Sequence, residues 1–370
     1  MNAQEDTEEI MEVGYFAMPL HPPGSNFTET IHSDLAQVVK LEELGYREAW
    51  IGEHFTMEWE NIPSPDLFIA MALAMTSKII LGTGVTCLPN HNPFLLAHRI
   101  AQLDHQARGR FYWGIGPGAS PQDFEVFGVD AEKNEHRQLA RDTLDMVLRI
   151  WDGLPPGIYE NKFWRFTMPE PDKEVGFAVH MKPYQKPHPP IGVAGLSPKS
   201  DTLVLAGERG WIPMSINHVP AVTLRTHWDA VELGARKSGL TPDRSSWRIA
   251  RDVYIGETTE EARHEALNGV LARDFYGYLH PVLRKFNLFG LFKSDPDMPD
   301  SDVTLEYIVD NIWLVGSVDD VTAKLRKLYE DVGGFGILLA MGHEWQPRDK
   351  WVRSMTLLAD EVMPRLADLR

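Results

Sequence analysis

The sequence predicts an α/β fold, a (β/α)8 TIM barrel with insertions, formed by residues 1–370 as one domain. Three observations predict it. Strand and helix patterns alternate along the chain with mostly short links, the order that produces a parallel sheet. Four such units fill residues 1–151, half of an eightfold barrel of ordinary size. A short apolar strand at 48–52 ends in the polar pair Glu53-His54, and the C-terminal ends of barrel strands are where chemistry sits.

The first strand is expected at 13–17, ended by Pro19 and His21-Pro-Pro-Gly24. Apolar residues at helical spacing from 31 to 44, closed by Gly45, make the first helix. After the strand at 48–52, Ser64 as N-cap and Pro65 in the first turn launch a helix to residue 75. Residues 78–85 make the third strand, 93–106 a helix, and 110–115 the fourth strand. A loop over 116–134 leads to an amphipathic helix over 137–151. Prolines are frequent from 153 to 190 and residues 158–166 read as a hairpin, so this stretch is expected to be an insertion over the barrel. Alternation resumes with strands at 191–194, 211–215 and 247–255, helices at 197–208 and 221–238, and a long helix from Thr259. Residues 272–303, aromatic and rich in Pro and Asp, are expected to be a second, irregular insertion and a candidate lid. A helix at 318–329, a strand at 336–340 and a helix over 350–366 close the chain.

Composition narrows the function. A formal net charge of −17 with no basic run argues against nucleic acid and against an anionic membrane surface. The longest apolar run, residues 67–75, is too short to cross a bilayer. The single cysteine, Cys87, excludes an internal disulfide and fits a reducing cytosol, and the acidic start of the chain lacks the features of a signal peptide; a cytoplasmic location is expected. Neither CxxC nor HExxH occurs, so no metal site is expected. The 11 tryptophans and 16 phenylalanines suit a core or a flat apolar ligand pocket.

His54 is the candidate for catalysis, because a histidine at a barrel mouth can hold or move a proton near neutral pH. Glu53 beside it is expected to be structural, bonding backbone amides or an arginine. Gly82-Thr83-Gly84-Val85 ends the third strand, where glycine serves either close approach to a ligand or simple room for packing. Gly114-Ile-Gly116-Pro-Gly-Ala119 lacks the GxGxxG spacing of a dinucleotide fingerprint but suits a flat loop against a planar ring. Ala194-Gly195-Leu-Ser197-Pro-Lys-Ser200 joins a strand to a helix start, where hydroxyls and free amides hold a phosphate or merely cap the helix. Arg137 is a candidate for the same phosphate or an ordinary surface arginine. Phe16 and Trp59, with Met214, are candidates to wall an apolar substrate pocket; the methionines as a group support no functional claim.

Several stretches together resemble the bacterial luciferase-like, flavin-dependent monooxygenases over nearly the whole length. They are Ala49-Trp-Ile-Gly-Glu-His54, Leu81-Gly-Thr-Gly-Val85 with Leu88-Pro-Asn-His-Asn-Pro93, Gln102-Leu-Asp-His with Gly109-Arg-Phe, Gly114-Ile-Gly-Pro-Gly118 and Phe127-Gly-Val-Asp130. Trp59-Glu-Asn-Ile-Pro-Ser-Pro65 and Leu305-Glu-Tyr-Ile-Val-Asp-Asn-Ile-Trp-Leu-Val-Gly-Ser317 look like the members that perform Baeyer–Villiger oxidation of terpene ketones. The resemblance implies a barrel that takes reduced FMN from a separate flavin reductase, forms a peroxyflavin with dioxygen, and inserts one oxygen atom into a small hydrophobic organic substrate. It implies His54 as the active-site histidine, Gly84-Val85 as the place of a non-proline cis peptide under the flavin ring, and Arg137 with Ser197 and Ser200 around the phosphate. It also implies a homodimer. Phe55 stands where many relatives have a second histidine. Two other readings share these residues: a deazaflavin-dependent dehydrogenase on the same barrel, and a flavin-binding relative without activity.

Overall fold

A computed structural model describes residues 11–18 and 20–369, so Pro19 lies outside the described residues. Eight strands form the barrel: β1 (Glu12–Ala17), β2 (Glu48–Ile51), β3 (Ile80–Thr83), β4 (Phe111–Gly116), β5 (Ile191–Gly195), β6 (Ile212–Ser215), β7 (Arg248–Arg251) and β8 (Ile337–Met341). Neighbours are parallel throughout, β8 pairs with β1, and β3 with β4 closes the ring. Around them lie α1 (Phe27–Glu43), α2 (Pro65–Met75), α3 (Pro93–Ala107), α4 (Glu135–Asp152), α5 (Asp201–Arg209), α6 (Ala221–Ser238), α7 (Val318–Val332) and α8 (Arg348–Leu357). The ring is the eightfold barrel that the alternation predicts.

The barrel interior is organised by one side chain. Trp50 is fully buried, and its indole occupies the space that side chains at Gly82 and Gly192 would need. A Cβ at Gly82 would lie 2.7 Å from the indole, and one at Gly192 2.8 Å from it. Gly82 is therefore a packing glycine. Below the ring, Trp50 Nε1 donates to Glu48 Oε1 at 2.7 Å. Arg248, across the barrel on β7, donates to both Glu48 oxygens at 3.1 and 3.0 Å. This two-point pair is buried at both partners. It lies at the N-terminal ends of its strands, the end of a barrel associated with stability rather than catalysis.

Several segments depart from the sequence expectation, each for a local reason. α1 starts at Phe27 because the Asn26 side chain accepts from the amides of Thr28 and Glu29. The expected strand at 78–85 breaks at a cis peptide between Gly84 and Val85, and Thr86–Cys87 then pairs with the end of β4. The loop expected at 116–134 contains a short helix, Pro121–Val126, capped by Ser120. The helix expected from 197 starts at Asp201 instead; Pro198 precedes a left-handed Lys199, φ 54°, and Ser200 is the N-cap. The expected strand at 247–255 splits at Asp252. β7 stays in the barrel, whereas Val253–Ile255 leaves it to pair with Leu314–Gly316, a strand the sequence did not suggest. The hairpin at 157–168 is present as Gly157–Glu160 against Arg165–Met168.

The stretch expected to be irregular, 272–303, is helical in its first half and irregular in its second, where Phe289–Phe292 and Asp300–Asp302 are single 3-10 turns. Val270–Asp274, a π-helical turn at Phe275–Leu279 and a helix at His280–Phe286 follow one another without a break. The aromatics that obscure the helical period are the core of this layer: Phe275 and Phe292 pack with Tyr254, Trp313 and Trp351.

Candidate active site

His54 follows β2 at the C-terminal mouth of the barrel. It shares a small pocket with Met18, Gly52, Glu60, Asn61 and Ile62. The imidazole lies between two carboxylates. Nε2 is 3.1 Å from Glu60 Oε2 and Nδ1 is 3.7 Å from Asp123 Oδ2. Burial works against a charged imidazole, but Glu60, Asp123 and Glu53 outweigh it and hold the His54 pKa above the ordinary histidine value.

Each carboxylate has its own support. Burial opposes charge on Asp123, yet its contacts with His54 and Thr56 keep it below the usual range. Thr56 donates to Asp123 Oδ1 through both its amide, at 2.9 Å, and its hydroxyl, at 2.6 Å. Glu60 is pushed up by burial, although His54 and Tyr278 oppose the shift. The Tyr278 hydroxyl donates to Glu60 Oε1 at 2.5 Å. Tyr278 comes from the inserted π-helical turn, and its ring stacks on Trp59 at 5.9 Å. Glu53 takes the structural role expected of it. Its carboxylate accepts from the Cys87 amide at 3.3 Å and pairs with His91 at 3.0 Å, fixing the turn after the broken third strand.

The other expected residues divide into two groups. Phe16, Val85, Gly116 and Ala194 are half-buried on or just beyond the strand ends and ring the mouth. Gly84 and Gly116 hold this rim close together. A Cβ on Gly84 would lie 3.0 Å from both the Phe16 ring and Trp50, and one on Gly116 would lie 2.7 Å from Val85. Thr83 is buried, its hydroxyl bonded to the Gly114 carbonyl at 2.7 Å. Gly195 has a packing reason, since a Cβ there would lie 2.4 Å from Leu203. Met214 is buried in the interior with Trp50 and Leu339, in the core rather than on an exposed wall. Trp59 is half-buried under Tyr278.

At the start of α5 the arrangement suits an anion. Ser200 makes no side-chain cap to the first-turn amides; its hydroxyl instead meets that of Thr202 at 2.8 Å. The Leu203 amide is bonded to the Ser200 carbonyl at 3.1 Å, which leaves the amides of Asp201 and Thr202 at the positive end of the helix for another acceptor. Arg137, in the first turn of α4, reaches the same place, 3.9 Å from Asp201 and half exposed. Ser197 is exposed, and its carbonyl accepts from His227 Nε2 at 3.1 Å.

On the far side of the mouth lies a buried polar network that sequence reasoning missed. His343, after β8, bonds Asp252 at 2.9 Å and Asp274 at 3.0 Å. Burial alone would lower its pKa; the two carboxylates raise it to about 9. Asn217 donates to Asp252 at 2.8 Å, and Arg273 to Asp274 at 2.6 Å. His218 lies against Phe292 with its pKa lowered to about 4, chiefly by burial. Glu60, Asp123 and Tyr278 were also missed. One sequence signal marks the place of Asp123, though not its role: Ser120-Pro-Gln-Asp123 is a helix start, and the Ser120 hydroxyl accepts from the Asp123 amide at 3.2 Å. Nothing local marks Tyr278.

An eight-stranded barrel carrying a histidine between carboxylates at its C-terminal mouth defines a barrel enzyme. Residues 11–334 match the family described as luciferase-like monooxygenase, and the chain belongs to that family. It is 32% identical to the 3,6-diketocamphane 1,6-monooxygenase of Pseudomonas putida, over 96% of this chain and 98% of that protein. It is also 32% identical to limonene 1,2-monooxygenase of Rhodococcus erythropolis, over 96% of this chain and 86% of that one. Among solved structures, the oxygenating constituent of 3,6-diketocamphane monooxygenase from Pseudomonas putida, a type II Baeyer–Villiger monooxygenase in complex with FMN, superposes with a TM-score of 0.88 at 33% identity, covering 96% of this chain and 98% of that one. The protein is a monooxygenase of this family.

Proposed function

We propose that the protein is the oxygenase of a two-component system that uses reduced FMN and dioxygen to insert one oxygen atom into a small hydrophobic organic substrate, a terpenoid or cyclic ketone, in a Baeyer–Villiger sense. One observation carries the reading: a buried imidazole whose charge is favoured by two carboxylates stands at the mouth of a barrel whose rim is kept narrow by Gly84 and Gly116. The similarity to an FMN-bound Baeyer–Villiger oxygenase supports it.

The residues fit the cofactor. The half-buried rim of Phe16, Val85, Gly116 and Ala194 offers an apolar face to a flat ring, and the α5 amides with Arg137 offer charge to a phosphate. When bound, reduced FMN supplies the electrons that activate dioxygen. The chain's own part is to orient, to exclude water and to place a proton. His54 Nε2 faces Glu60, while Nδ1 has no hydrogen-bond partner among the described residues. Held between the two carboxylates, the imidazole keeps a proton and its positive charge at the mouth, where negative charge would develop on oxygen. Phe16 and Trp59 supply apolar surface to the substrate.

A separate flavin reductase is part of the proposal, supported by the description of the solved relative as an oxygenating constituent. So is a homodimer, supported by an exposed apolar row on α2, Leu67, Met71 and Met75, beside Leu95. A cytoplasmic location rests on the lone buried thiol at Cys87. The test supplies reduced FMN, dioxygen and a panel of terpenes, cyclic ketones and aldehydes, with the product identified by mass. A lactone or ester one oxygen heavier than a ketone substrate is the expected result; cofactor oxidation with no oxygenated product from any member of the panel would refute it.

A further inference from the structure

We infer that Tyr278, carried by the insertion between β7 and β8, is a positioning residue for the active site: through Glu60 it fixes the charge and orientation of His54. The inference rests on the reading of His54 as the working residue and deepens it.

The geometry is a chain of three side chains drawn from two distant segments. Tyr278 donates to Glu60 Oε1 at 2.5 Å, and the other Glu60 oxygen stands 3.1 Å from His54 Nε2. The tyrosine is itself held. Its ring stacks on Trp59, and the backbone at Gly277 lies so close to Trp59 that a Cβ would be 2.7 Å from the indole. The loop bearing Trp59 and Glu60 is tied down by the His21 amide, which donates to the Trp59 carbonyl at 2.9 Å. The turn that presents Tyr278 is a π-turn, a form frequent at functional sites.

The electrostatics give this chain a direction. The groups facing His54 are Glu60 on the loop after β2, Asp123 on the short helix after β4 and Glu53 at its own strand end, and all three are acids. Asp123 has Thr56 to stabilise its charge. Glu60 is buried as well, and the Tyr278 hydroxyl is the neutral donor that favours its ionised form. Removing that donor makes the carboxylate easier to protonate, weakens its hold on the imidazole and lowers the affinity of His54 for its proton. A contact from the insertion is thereby converted into charge at the barrel mouth.

The experiment follows the His54 ring signals through a pH titration of the flavin-free protein carrying labelled histidine, with His54→Asn used to assign them. Tyr278→Phe keeps the ring stacked on Trp59 and removes only the hydroxyl; it should lower the His54 midpoint by on the order of one pH unit. Glu60→Gln should lower it further, and adding Tyr278→Phe to Glu60→Gln should change nothing more. Tyr276→Phe, on the exposed side of the same turn, should leave the midpoint in place. An unmoved midpoint in a folded Tyr278→Phe protein overturns the inference, as does a shift that persists in the Glu60→Gln background. Because the titration needs neither flavin nor substrate, its outcome is separable from that of the oxygenation assay.

Discussion

The two ends of the barrel solve opposite problems with the same residue types. At the N-terminal end one carboxylate, Glu48, meets one guanidinium and one indole N–H, and both of its oxygens are engaged. At the C-terminal end one imidazole faces two carboxylates, and His54 Nδ1 and Glu60 Oε2 have no hydrogen-bond partner among the described residues. Asn61 on the same loop, and His21 and His218 beyond β1 and β6, each have one unpartnered atom too, as do buried groups away from the mouth such as Thr143 and Tyr254. The lower end is closed by matched charges, and the upper end keeps an excess of acceptors around a proton carrier.

The comparison can be broken most forcefully from below. Glu48→Ala leaves Arg248 buried without its partner, and urea unfolding should show a loss of about 3–5 kcal/mol. A loss under about 1 kcal/mol would mean that the pair does not hold the barrel together. At the upper end the cost should fall on chemistry instead. His54→Ala should still bind FMN and stay folded, yet lose product roughly a hundredfold while releasing hydrogen peroxide. Unchanged coupling of flavin oxidation to product would remove His54 from the mechanism.

The His343 network sharpens the contrast, because it is an upper-end cluster that is fully paired. Its folded pKa, about 9, lies above the ordinary 6.5, so its contribution to stability is complete below about 6.5 and disappears as pH rises through 9. Unfolding free energy should fall by roughly 2–3 kcal/mol across that window, and His343→Asn should flatten the fall. The smallest effect is expected at the rim. Arg137→Ala should weaken FMN binding about five- to tenfold, more at low salt than at high, as read by flavin fluorescence.

The barrel was legible in the sequence because most strands are short apolar runs bounded by turn signals, a pattern that survives without knowledge of neighbours. The exceptions are instructive. Asp252 interrupts what reads as one strand because its carboxylate serves His343, ninety-one residues away. The layer at 270–286 hid its helices because aromatics on several faces erase the 3.6-residue period. Much of the site was legible only in part for the same reason. His54 announces itself by standing after a strand, and Glu53 reads as the support it is. Glu60 shares the loop of His54, but Asp123 and Tyr278 lie in two other connections, and only the closed ring brings those to the site. Gly82 and Gly195, which look like ligand-facing glycines, are accounted for by Trp50 and Leu203.

The indole of Trp50 has a consequence for how this enzyme could change its diet. Wedged between Gly82 and Gly192 and anchored from beneath, it acts as a plug that fills the barrel interior, whatever occupies the opening. Phe16, half-buried at the opening, can then be varied while the plug and its anchor stay as they are. The opening and the walls can drift apart in such a molecule, because the half-buried side chain at the mouth is not the one that props the barrel.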